Sequence, residues 1–261
     1  MGKYSANVGF LWNDLPLLDR IAAAGRTGFS GVAMDWPYAH DPAVVTAALK
    51  QAGVVLLGVN TPLGNPGEFG LAALAGRERD FEAAFETSLS FCKETGGSYV
   101  HAMAGLAEDN AVNASTLIAN LKRAAAPAAD AGVMMVLEAP NSKDRPGYFY
   151  SHLDRVAEII GRVGAPNVKM IFDFYHAHHT RPDVLEHLHQ HLPLVGLIQI
   201  ASIPSRHEPD EGTLDYKSAL AELDQWGYTG WIDAEYRPRT TMEEGLGWIE
   251  KVGIKLAKAG N

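Results

Sequence analysis

Four β-favouring runs end on a side chain that carries an oxygen donor where a buried apolar residue is expected. They are "VMMVLEA" (133 to 139) with Glu138, "VKMIFDFYH" (168 to 176) with Asp173, "LVGLIQIAS" (194 to 202) with Gln199 and "GWIDAEY" (230 to 236) with Glu235. Three carboxylates brought together without a cation repel one another and raise their own pKa values, so a shared divalent metal is the natural resolution. The donor set is all oxygen. It favours Mg²⁺ or Mn²⁺ over a tetrahedral structural zinc and leaves room for two substrate oxygens in a roughly octahedral shell.

Elements able to bring these ends together follow from the rest of the chain. Further β-favouring runs occur at "SANVGFL" (5 to 11), "GVAMD" (31 to 35), "VVLLGVN" (54 to 60) and "SYVHAM" (98 to 103), making eight. Segments of helical period alternate with them, among them "DPAVVTAALKQAG", "SHLDRVAEIIGRVG" and the last, "TTMEEGLGWIEKVGIKLA". Several open on Asp, Asn or Ser and close near Gly, as helix boundary chemistry predicts. Strict alternation implies parallel strands with helical crossovers, and eight units in this length predict an α/β fold of the (β/α)8 TIM barrel type, one domain over 1–261. A doubly wound sheet usually carries a glycine-rich phosphate turn after its first strand, where this chain has "FLWNDLP". "GNPGEFG" (64 to 70) contains Pro66 within a long loop and reads as a lid or ordinary loop.

In such a barrel, active sites assemble at the carboxyl ends of the strands, and alternate side chains point inward. Counting back by two gives Val136 and Met134 from Glu138, Ile171 from Asp173, Leu197 and Val195 from Gln199, and Asp233 and Trp231 from Glu235. These series are mostly apolar until the last position, so each strand can place one oxygen donor at the mouth.

Composition narrows the function. With 47% hydrophobic residues the 261-residue chain can bury a substantial core, and 31 acidic against 22 basic residues give a formal charge of -9. That balance opposes a general nucleic-acid binder. No apolar run approaches the roughly 20 residues needed to span a bilayer, so no membrane partner is expected. The start shows no small-residue cleavage signal, and "GKYSA" after Met1 has Ala6 at the place where a myristoylation site carries Ser or Thr. The lone Cys92 reads as a core residue, and a cytoplasmic location is expected. Assembly into a homo-oligomer is left open.

The chain resembles the xylose isomerase-like TIM barrel superfamily and, within it, the hydroxypyruvate isomerase family. The likeness rests on "GRERDFE" (76 to 82), "LEAPNSKDRPGYF" (137 to 149), "FDFYH" (172 to 176), "QIASIPSRHEPDEGTLDY" (199 to 216) and "EYRPRTTMEEGL" (235 to 246). It implies that Glu138, Asp173, Gln199 and Glu235 ligate the metal and that Glu138 and Glu235 exchange protons with substrate. It also implies that His176 hydrogen-bonds the substrate carbonyl. Gln199 follows the hydroxypyruvate isomerase pattern where sugar epimerases of the superfamily use histidine. "EAPN" departs from the usual "EPIN" or "EPLN", and Arg145 stands where an apolar residue is common.

The expected chemistry is aldose-ketose isomerisation of a small hydroxy-keto acid or sugar through an enediolate, hydroxypyruvate to tartronate semialdehyde first. A 2-oxo-tetronate isomerase and a keto-sugar 3-epimerase are alternatives on the same site. A metal phosphoesterase of the apurinic endonuclease type is remote, since it needs a histidine-rich three-zinc cluster and a basic path. Three carboxylates and one divalent ion leave a negative balance, so an anionic substrate needs its own cation. Arg206, just past the seventh run, can offer one. Asp144 and Asn141, in the loop after Glu138, can orient substrate or neighbouring groups, and Lys143 and Arg145 add positive charge there. His101 closes the fourth run and can line or fill the pocket. His187, His189 and His191 stand two apart on an expected helix, cannot all face one ion, and read as surface residues.

Overall fold

The computed structural model describes residues 3–256. Met1, Gly2 and Ala257, where the last expected helix ends, lie outside them. Eight parallel strands close into a barrel in sequential order: β1 (Lys3–Asn7), β2 (Gly31–Met34), β3 (Val55–Asn60), β4 (Tyr99–His101), β5 (Met134–Leu137), β6 (Val168–Asp173), β7 (Val195–Ile200) and β8 (Trp231–Ala234). The crossover helices are α1 (Leu17–Thr27), α2 (Pro42–Ala52), α3 (Glu78–Thr95), α4 (Ala111–Asp130) and α5 (Leu153–Val163). After β6 come α6 (Phe174–Thr180) and α7 (Val184–His191), then α8 (Tyr216–Gln225) after β7. The final expected helix is two short pieces, α9 (Met242–Gly245) and α10 (Trp248–Lys251). None of the described helices is long and apolar enough to cross a membrane.

Side-chain periodicity explains the two apolar layers. Leu57, Tyr99, Val136, Ile171 and Leu197 fill the barrel, with Met134 and Trp231 packed against them. The other strand faces meet the helices; α5, for example, buries Leu153, Val156, Ile159, Ile160 and Val163 on one stripe. Asp41 caps α2 and Asn110 caps α4 through their side-chain oxygens. Cys92 is buried in α3 with its Sγ 3.3 Å from the Tyr99 carbonyl, and burial pushes the thiol up to about 12, so it is a core residue.

Counting by two misplaces one residue. β6 pairs Met170 with Val195 but Ile171 with Leu197, so Gly196 is an extra residue in the ladder and alternation breaks there. Val195 therefore packs with the outer, helix-facing cluster rather than inside the barrel. Gly196 sits against Met134, whose Sδ would lie 2.7 Å from an added Cβ, so only glycine fits without displacing that interior side chain.

Candidate active site

The carboxyl ends of β5 to β8 gather Glu138, Asp173, Gln199 and Glu235 at one mouth. Glu138 directly follows β5, Asp173 closes β6, Gln199 lies beside it in register on β7, and Glu235 directly follows β8. A cavity of about 260 Å³ opens there, lined by Glu138, Gln199 and Glu235 together with His101, His176 and Arg206.

Asp173 is also the N-cap of α6. Its Oδ1 accepts from the backbone N–H groups of Tyr175 at 2.7 Å and His176 at 3.4 Å, while Oδ2 is buried and receives no hydrogen bond. The chain turns helical immediately after Asp173, so "FYH" is the first turn of α6 and not the end of a strand. Gln199 Nε2 donates to Glu235 Oε2 and, at 3.4 Å, to Asp233 Oδ2, which leaves its Oε1 buried and unpartnered. Asp233 is held from below by the Ser5 hydroxyl at 2.6 Å. Glu235 also accepts from Asn7 Nδ2 at 2.7 Å and from Arg206 Nη2.

Arg206 is the central cation of the mouth. Its Nη2 lies 3.5 Å from Asp173 Oδ2 and its Nη1 3.7 Å from Asp144 Oδ2, with the guanidinium carbon 4.7 Å and 4.9 Å from the Phe10 and Tyr175 ring centroids. The residue adopts φ 58°, costly for a side chain other than glycine, and this web of contacts holds it there. The guanidinium thus neutralises the site's own carboxylates as well as facing the cavity.

His176 is fixed in one tautomer. Its Nδ1 faces two donors, the backbone N–H of Asn141 at 3.2 Å and the Asn141 side-chain amide at 2.8 Å, so Nδ1 accepts. In the neutral ring the proton then sits on Nε2, 3.5 Å from Glu138 Oε1 and 3.7 Å from Asp173 Oδ2. Although Glu138, Asp173 and His176 are close enough to share an ion, this tautomer makes His176 a hydrogen-bond donor and leaves the oxygens as the ligand candidates. Asn141 Oδ1 accepts from the N–H groups of Lys143 and Asp144, each at 3.0 Å, so Asn141 shapes the loop and orients the histidine. Lys143 is exposed and is not part of the cavity wall, whereas Asp144 and Arg145 are. Arg145 stacks on Phe69, 3.9 Å from its ring centroid, and so joins the loop after β5 to the "GNPGEFG" loop.

Electrostatics match three carboxylates in want of a cation. Burial, then Asp173, pushes Glu138 up to about 8, with Arg206 opposing. Burial also raises Glu235 well above the usual range and raises Asp173, again against Arg206. Burial alone would lower Arg206, but Glu235, Asp173 and Glu138 together raise it. Burial drives His101 down to about 4 and His176 well below neutrality. A hard divalent ion fits this donor set: the buried Asp173 Oδ2 and Gln199 Oε1 lack hydrogen bonds, and the carboxylates repel without added positive charge.

The sequence reading passed over several residues of the wall. Asp35 follows β2 and burial raises it to about 6; its Oδ1 accepts from Asn60 Nδ2 at 3.2 Å, and Asn60 Oδ1 meets His101 Nδ1 at 3.1 Å. His101 therefore both lines and fills the cavity, being 3% exposed. "GVAMD" closes on an acid just as the later strands do, so the same rule applied to β2 finds Asp35. The histidines of α7 also differ from expectation: His187 is buried, because positions 187 and 191 share the inward face of the helix.

Fold and mouth together define a (β/α)8 barrel with an oxygen-rich polar site at the carboxyl ends of its strands. Residues 21–252 match the xylose isomerase-like TIM barrel family. A 2-oxo-tetronate isomerase of Cupriavidus necator is 40% identical over 96% of this chain and 98% of its own. A Drosophila melanogaster protein that provisionally bears the hydroxypyruvate isomerase name is 34% identical over 97% and 99%. The crystal structure of an AP endonuclease, family 2, from Brucella melitensis superposes with a TM-score of 0.93 at 35% identity, covering 96% of this chain and 98% of that one. A D-allulose 3-epimerase from Methylomonas sp. in complex with D-allulose has a TM-score of 0.77 at 19% identity, over 98% and 91%, and shares the fold. The chain belongs to the xylose isomerase-like TIM barrel family, and proteins named as isomerases are among its relatives.

Proposed function

We propose that the protein is an isomerase of a small hydroxy-keto acid, moving the carbonyl between neighbouring carbons by proton transfer. The observation that carries the reading is the pair of buried oxygens without a hydrogen bond, Asp173 Oδ2 and Gln199 Oε1, set among carboxylates that the single Arg206 cation does not fully neutralise. Glu138, Asp173, Gln199 and Glu235 would hold Mg²⁺ or Mn²⁺, which when bound supplies Lewis acidity for the developing oxyanion.

Glu138 and Glu235 are the proton-exchanging pair. One takes the proton from the hydroxyl-bearing carbon, giving a planar enediolate, and a proton returns to the former carbonyl carbon; the hydroxyl proton passes between the two oxygens. His176 Nε2–H is aimed to hydrogen-bond the substrate oxygen, oriented by Asn141. Arg206 and Arg145, both in the cavity wall, offer cations to the carboxylate of the substrate. The Cupriavidus relative favours a 2-oxo-tetronate, and the group that includes the Drosophila protein keeps hydroxypyruvate as the second reading. Among the described residues only two histidines, His101 and His176, line the cavity, and the tautomer of His176 puts its proton on Nε2, which disfavours a histidine-rich phosphoesterase centre.

Proton NMR in heavy water tests the proposal with hydroxypyruvate, 2-oxo-tetronates and ketohexoses, each with and without Mg²⁺ or Mn²⁺. We expect metal-dependent product with deuterium at the former carbonyl carbon of a keto acid. Deuterium returned to the original carbon of a ketohexose would instead mark an epimerase, and no exchange in any metal-supplied sample would overturn the reading.

A further inference from the structure

We propose that Asp154, His187 and His191 form a second divalent-cation site, of the zinc type, on the outside of the barrel between α5 and α7. The three residues offer one oxygen and two imidazole nitrogens, all within 4.8 Å of one another. His187 and His191 are four apart on α7 and share a helix face, with ring centroids 5.0 Å apart. Both present Nε2 to the same Asp154 Oδ1, at 3.4 Å and 2.8 Å.

With metal bonds of about 2.0 to 2.1 Å, the edge of a tetrahedron measures about 3.3 Å. The His187 contact already has that length, and the His191 contact need open by only about half an ångström. Packing limits the loss of freedom on binding, since His187 is 2% exposed and meets the Phe172 ring edge-on. Asp154 is exposed, giving the ion a path and leaving a fourth position for water. His189 faces elsewhere, stacked on Trp226 at 4.6 Å. Imidazole donors select Zn²⁺, Co²⁺, Ni²⁺ or Cu²⁺ over the hard ions suited to the barrel mouth. One carboxylate and two neutral rings leave a single positive charge once the ion is bound, and the nearby Arg181 is already engaged by Asp183 at 2.8 Å.

Zinc titration against a chromophoric chelator tests the site in the wild type, His191→Ala, Asp154→Asn and the double variant Glu138→Gln/Asp173→Asn. The wild type should hold a zinc equivalent that weakens at least roughly 100-fold in His191→Ala and in Asp154→Asn. The mouth double variant should retain it, with two imidazoles in its zinc X-ray absorption spectrum. Zinc should also raise the melting temperature of the mouth double variant but not when His191→Ala is added to it. Zinc binding that is the same in wild type, His191→Ala and Asp154→Asn, whether present or absent, would overturn the proposal. Isomerase turnover of His191→Ala with Mg²⁺ should match the wild type, because the residue lies outside the mouth.

Discussion

Glu138→Gln should stabilise the metal-free protein while abolishing turnover. Burial and Asp173 push Glu138 from the ordinary 4.5 up to about 8. The folded state therefore keeps a proton that the unfolded chain has released, and between those two values stability falls as pH rises. One unit of displacement is about 1.4 kcal/mol, so Glu138 alone should contribute a loss on the order of 3 kcal/mol between pH 5 and pH 8, to which the raised Asp173 and Glu235 add. Glutamine keeps the shape without the charge and should remove the share of that slope that belongs to Glu138. Urea unfolding in EDTA at pH 5, 6.5 and 8 measures it, with the midpoint and slope fitted for both proteins. A saturating divalent ion should reverse the order, since it favours the ionised carboxylate and stabilises whichever form it binds. Parallel pH profiles for wild type and Glu138→Gln in EDTA would refute the electrostatic account of the mouth. Full turnover in Glu138→Gln would refute its role in proton transfer.

Two further substitutions probe the same cluster from its neighbours. Arg206→Met strips the buried carboxylates Asp173 and Glu235 of their partner, and should destabilise the protein by about 3 to 5 kcal/mol in EDTA but by clearly less with Mn²⁺ present. Equal losses in the two urea titrations would show that the guanidinium does not share the neutralising role with a metal. Asn141→Ala removes one donor to His176 Nδ1 and the acceptor for two loop N–H groups. It should lower kcat roughly 10-fold or more, the usual effect of losing an orienting partner, with KM little changed. A fall in stability with kcat intact, read by steady-state kinetics beside a thermal melt, would reduce Asn141 to a loop residue.

Much of the barrel is legible because parallel strands, buried on both sides, leave continuous apolar runs that helical segments then punctuate. The placement of Glu138, Asp173, Gln199 and Glu235 follows from the same rule, each being the polar end of such a run. What escapes it depends on contacts distant in sequence or on a local change of period. Val195 faces outward because Gly196 is inserted in the ladder, and that insertion is a property of pairing with β6, invisible in β7 alone. "FYH" reads as strand because it is aromatic and apolar, but Asp173 caps a helix there, and the rise changes from strand to helix within one residue. The spacing of two along His187, His189 and His191 hides that His187 and His191, four apart, are helical neighbours on one face.

Gln199 shows most plainly why the site needs both levels of reading. Its type alone offers a carbonyl oxygen or an amide, and nothing in "GLIQIA" chooses between them. The structure sets Glu235 and Asp233 against the amide, so the nitrogen is committed to two carboxylates and the oxygen is the end left over. A carboxylate at 199 would meet those two acids with repulsion, whereas an amide joins them through donated hydrogen bonds and still presents one oxygen. Glu235 together with Asp233, the latter buried and bonded to Ser5, thus turns a neutral side chain into an oriented oxygen donor at the mouth.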